Sequence, residues 1–113
     1  PPRDLIEYER RVVDAAIADL PRRPRVQWVT LATLDAVSHV SRDPDDYSLA
    51  LRNVDAQIGR YREASARLGQ ESDRVYAVVS DHGVTPVRRN LDLCRTLGSV
   101  GVPCRRGSSA QAW

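Results

Sequence analysis

Arg74-Val75-Tyr76-Ala77-Val78-Val79-Ser80-Asp81-His82-Gly83 is a continuous apolar run that ends abruptly in a carboxylate, an imidazole and a glycine. Its length and β-branched content read as a strand buried on both faces, the kind found inside a parallel sheet. In open α/β sheets ligands bind beyond the carboxyl ends of the strands, so Asp81 and His82 fall where chemistry is expected. Both are good ligands for a divalent metal. Neighbouring strand residues face opposite ways, so the two reach one ion only if the backbone turns, and Gly83 tolerates the positive φ that such a turn uses. The plainer reading of the same residues is a polar turn after a strand.

Upstream, Val26-Gln27-Trp28-Val29-Thr30-Leu31-Ala32-Thr33 has the same β-branched and aromatic character and reads as a second buried strand. It too runs into a carboxylate and an imidazole, Asp35 and His39. Their spacing of four puts both side chains on one face if the segment takes a helical turn. That spacing is common by itself, and its weight lies in repeating the pattern of Asp81-His82.

Between the two runs lies a well-marked helix. Asp43 is placed to cap it, Pro44 suits its first position, and Asp45 and Asp46 complement the positive end of its dipole. Tyr47, Leu51, Val54, Ile58, Tyr61 and Leu68 form one apolar stripe, Glu63 and Arg67 an i,i+4 pair, and Gly69 the stop. An earlier helix over 4–20 opens with a capping-box pattern, Asp4 and Glu7, carries Ile6, Val13, Ile17 and Leu20 inward, and ends at Pro21. A third helical pattern covers 88–97 and closes at Gly98, with a weak or edge strand over 100–104. Residues 105–113 read as a disordered tail.

The order α-β-α-β-α-(β), with a long helix joining two apolar runs, predicts an α/β fold: a three-layer-type parallel sheet with right-handed βαβ crossovers, part of a larger domain over residues 1–104. Parallel strands would bring both Asp/His pairs to one edge of the sheet.

Composition narrows the partners. The chain has 113 residues, about one domain, and contains no methionine, so it reads as a processed piece or an excerpt of something longer. All its cations are arginines, a trait we assign to genomic base composition, and a formal charge of +2 spread along the chain is no nucleic-acid footprint. No run reaches membrane-span length and no secretory signal is present, which leaves localisation open. Cys94 and Cys104 match no zinc or redox spacing and read as packing thiols.

Two carboxylates and two imidazoles at one rim can hold two metal ions about 4 Å apart, the spacing used for phosphoryl chemistry. Mixed nitrogen and oxygen donors favour zinc, with manganese or iron as alternatives. Four ligands are too few for two catalytic sites, which take about three or more each, so further ligands must come from outside this chain.

Asp35-x-x-x-His39, the helix with Tyr47 and Val54-Asp55-x-x-Ile58-Gly59, and Val78-Val79-Ser80-Asp81-His82-Gly83-Val84 together resemble the alkaline phosphatase superfamily, and within it the type I phosphodiesterase/nucleotide pyrophosphatase branch. The resemblance runs over 28–97. It implies a two-zinc hydrolase of phosphate mono- or diesters acting on a small phosphate ester or nucleotide, with Asp35 and His39 on one metal and Asp81 and His82 on the other. It also implies a threonine or serine nucleophile, a further aspartate and a later histidine, none of which has a matching position here. Where the family often carries Gly-Pro after the first histidine, this chain has Arg42-Asp43-Pro44. The expectation is a catalytically silent part of a metal-dependent phosphodiesterase or phosphatase. A non-catalytic α/β binding module and a phosphoglycerate mutase-like member of the superfamily are the alternatives. A sulfatase would need a Cys/Ser-x-Pro-x-Arg element that is absent.

Overall fold

Among the described residues, the buried apolar side chains lie on helical segments, not on strands. The computed structural model describes residues 2–89 and 91–104. They form α1 (Pro2–Asp19), α2 (Thr33–Val40), α3 (Pro44–Arg67) and α4 (Leu93–Ser99), with single 3-10 turns at Leu20–Arg22 and Glu71–Asp73. The expected tail at 105–113 lies outside the described residues. The chain divides between Ser80 and Asp81 into two compact units.

In the first unit α1 and α2 each pack on α3 and on one another. The buried stripe of α1 and the turn after it is Glu9, Val13, Ala16 and Leu20, at helical spacing i, i+4, i+7 and i+11. Glu7 closes no capping box: its carboxylate instead takes the Arg10 and Arg11 guanidinium groups at 2.9 and 3.1 Å. The helix ends at Asp19, Leu20 opens the 3-10 turn that follows, and the chain turns back through Arg23, held left-handed at φ 51° with its N–H on the Leu20 carbonyl.

The start of α3 is as expected. Asp43 accepts the Asp45 N–H at 2.9 Å and Pro44 opens the helix. Its inward face is more polar than the apolar stripe predicts: Ala50, Gln57 and Ser65 are buried, whereas Leu51 is 52% exposed. Gly69 ends it at φ 64°, with the Gln70 N–H on the Ser65 carbonyl and the Gly69 N–H on the Ala66 carbonyl, the pattern of a Schellman stop. Near this end the Tyr61 hydroxyl donates to Gln27 Oε1 at 2.6 Å and accepts from Arg74 at 3.3 Å. Both apolar runs therefore leave the helical core from one patch of α3.

The parallel-sheet α/β fold expected from the sequence is not what forms. Among the described residues there is no strand. The runs at 26–32 and 74–80 are unladdered chain, with Val26 85%, Trp28 79% and Val75 98% exposed. A doubly buried strand needs a neighbour on each edge to satisfy its N–H and C=O groups, and nothing among these residues supplies one. The β-branched pattern marks residues suited to a sheet, but it cannot create the partners. With no ladder to join, the helical stripes find one another instead.

The second unit has no buried residue among those described. Asp92 caps α4 by accepting the Arg95 N–H at 3.0 Å. The helix passes through Gly98, the expected stop, to Ser99, and Gly101 (φ 75°) closes the turn after it, with the Val102 N–H on the Leu97 carbonyl. Cys94 and Cys104, expected as packing thiols, form a disulfide that closes this turn on the helix.

Candidate metal centre

Asp35 and His39 occupy α2, where the run at 26–32 gives way to helix. The turn predicted from their spacing is present: Asp35 Oδ1 lies 3.4 Å from His39 Nε2 on the exposed side of the helix. Two ligands bonded at about 2.0–2.1 Å to one tetrahedral ion stand roughly 3.3 Å apart. The couple thus has the separation of two donors sharing an ion, and it is long for a direct hydrogen bond. Val37, between them in sequence, turns inward and is buried. That fixes the outward roll of the two ligand-type residues.

Asp81 and His82 sit at the head of the second unit, and their backbone does turn. Gly83 is not among the glycines with positive φ, so the turn does not use the freedom expected of it. Local bonds hold it instead. Asp81 Oδ1 accepts the His82 N–H at 3.1 Å, and His82 Nδ1 lies 3.1 Å from the Gly83 carbonyl. Donation from Nδ1 to that carbonyl leaves the lone pair on Nε2, which stands 3.6 Å from Asp81 Oδ2. A histidine whose second nitrogen is held by a backbone carbonyl is the usual arrangement of a metal ligand.

The structure therefore forms two Asp–His couples, each bringing one carboxylate oxygen and one imidazole nitrogen within 3.4–3.6 Å. Among the described residues no group of three or more His, Cys, Asp or Glu side chains gathers as a metal cage. The donor chemistry fits a zinc-type ion, and the ligand count reaches two per couple.

A further residue bears on the first couple and was not singled out from sequence. Glu9 is 1% exposed and accepts the Thr33 N–H at 3.0 Å, at the first residue of α2. The signal for it was present: Glu9 stands four residues before Val13 on the apolar stripe of α1, where a carboxyl group needs a partner.

The family model for type I phosphodiesterase / nucleotide pyrophosphatase matches residues 3–101. The chain belongs to that family. Asp35, His39, Asp81 and His82 all fall inside the matched span of the phosphodiesterase/nucleotide pyrophosphatase model. The family is hydrolytic and typically metal-dependent, with nucleotides or other phosphate esters as its substrate class. No curated protein and no solved structure matches the chain. Among the described residues no helix is long and apolar enough to cross a membrane.

Proposed function

We propose that this chain supplies two metal-ligand couples, Asp35 with His39 and Asp81 with His82, to a two-metal hydrolase of phosphate mono- or diesters. The observation that carries the proposal is the 3.4 Å separation of Asp35 Oδ1 and His39 Nε2 on the exposed side of α2, inside a hydrolase family match. The mixed donors favour zinc, with manganese or iron compatible. When bound, such ions supply charge stabilisation at phosphorus and a lowered nucleophile pKa.

The chain's own part is to hold and orient. Asp35 and Asp81 offer carboxylate oxygens, His39 and His82 offer imidazole nitrogens, and the α2 helix and the Asp81-His82-Gly83 turn fix each pair. Two donors per ion fall short of the three or more that catalytic sites take. The 113 residues by themselves therefore bind metal weakly and turn over no ester.

Zinc titration followed at the imidazole resonances of the chain's two histidines tests this directly. Both rings should shift, with His39→Ala removing one response and Asp81→Ala weakening the other by tenfold or more. Zinc that leaves both rings unmoved removes the proposal and favours a non-catalytic module. Turnover of bis-p-nitrophenyl phosphate by the isolated chain, abolished by Asp81→Ala, would overturn its catalytic silence.

A further inference from the structure

The first turn of α2 has no cap of its own. Ala32 precedes it and offers no side-chain acceptor, and eight residues make too short a helix to persist alone in water. Its start is gripped from outside. Glu9 Oε1 accepts the Thr33 N–H at 3.0 Å, and the Thr33 hydroxyl donates to the Leu5 carbonyl at 3.1 Å. The other Glu9 oxygen accepts from the Asn53 side-chain amide of α3. The chain of bonds continues from Gln57 to Asn53 at 3.1 Å and from Arg60 to Gln57 at 2.6 Å, and Arg60 also pairs with Asp14 of α1. A carboxyl group buried at a helix start satisfies an otherwise orphan N–H and lies at the positive end of the helix dipole.

We infer that Glu9 is a positioning residue for the Asp35–His39 couple: by capping α2 from α1 it fixes the helix from which both side chains project. The inference rests on reading Asp35 and His39 as metal ligands. Asp35 follows the capped residue by two positions and His39 by six, so a loosened first turn moves both. A couple set for one ion tolerates little such motion, because its two donors must keep a separation of roughly 3.3 Å. Glu9 bonds to the first residue of α2 and acts on the couple through the helix.

The test uses the full chain. In the wild type, the Thr33 amide should exchange with solvent at least tenfold more slowly than the Leu34 amide of the same first turn. Glu9→Leu keeps the bulk and removes the acceptor. It should speed exchange in α2 roughly tenfold, erase the nuclear Overhauser contact between Asp35 and the His39 ring, and weaken zinc at His39 about tenfold, with His82 unaffected. Glu9→Gln retains an oxygen for Thr33 and should restore all three. A Thr33 amide that exchanges as fast as Leu34 overturns the inference. So does a Glu9→Leu chain with α1 and α3 intact and the Asp35–His39 contact unchanged. Should Glu9→Leu fail to fold, the wild-type Thr33 exchange and the Glu9→Gln contact decide alone. If zinc is silent at His39 in the wild type, the metal reading falls, while the exchange and contact measurements still judge Glu9.

Discussion

The two units of this chain carry the same kind of Asp–His couple on different foundations. In the first, Val13, Leu20, Val37 and Ala50 are buried, and a polar network from Thr33 through Glu9, Asn53 and Gln57 to Arg60 ties three helices together. Asp35 and His39 ride on a helix fixed by that interior. In the second, no described residue is buried, and order comes from short-range devices: the Asp92 cap, the Gly101 stop and the Cys94–Cys104 disulfide. Asp81 and His82 there make bonds to the backbone of their own turn. An Asp–His couple can thus be presented either by a packed core or by a turn.

The sharpest way to break this contrast is to remove the interior of one unit and watch the other. Leu20 is fully buried just after α1, and its carbonyl also takes the Gln70 side-chain amide at 3.0 Å. Leu20→Ala should destabilise the three-helix unit by about 2–5 kcal/mol, read by urea unfolding. The α4 amides should keep their protection. Loss of α4 order in that variant would show that the second unit leans on the first core.

The converse perturbation is reduction. A disulfide spanning ten residues stabilises by about 3 kcal/mol through loop closure, and α4 has only seven residues. Reduction, or Cys94→Ser, should melt α4, seen as collapse of the Thr96 and Leu97 amide shifts toward random coil. The urea midpoint of the first unit should not move. A shared shift would merge the two units into one cooperative body.

The sequence made these two foundations unequally legible. The α3 start could be read residue by residue, because Asp43, Pro44, Asp45 and Asp46 act on bonds within one turn. The Asp35–His39 face was legible for the same reason: a spacing of four on a helix fixes two side chains locally. The sheet was not. Val75, Val78 and Val79 announce a doubly buried strand, yet burial is a property of neighbours, and all three remain largely exposed. Glu9 lay between the two cases. Its helical register put it on the buried stripe, but its partner Thr33 is 24 residues away, a pairing no local pattern reveals. The disulfide was hidden likewise, since two cysteines ten residues apart pair only when the turn at Gly101 folds the chain back on α4.

The smallest expected effect sharpens the contrast within α1 itself, where Glu7 faces outward and Glu9 inward. Hydrogen bonds from Arg10 and then Arg11, with a lesser contribution from their charges, hold the Glu7 carboxyl at about 2, against an ordinary value of 4.5. A folded-state pKa below the unfolded one means that the group adds stability above the unfolded value and loses it as pH falls through the folded value. The Glu7 contribution should therefore be whole above about pH 4.5, fade below it and vanish beneath about pH 2. It should be slight, because the pair is solvent-screened and exposed ion pairs contribute little. The carboxyl-carbon resonance of Glu7 should titrate near pH 2, and in Arg10→Gln its midpoint should climb toward 4.5, Arg10 being the largest cause. A midpoint that stays put in Arg10→Gln would assign the depression to Arg11, and Glu7 would then be held by one ion pair where the structure draws two.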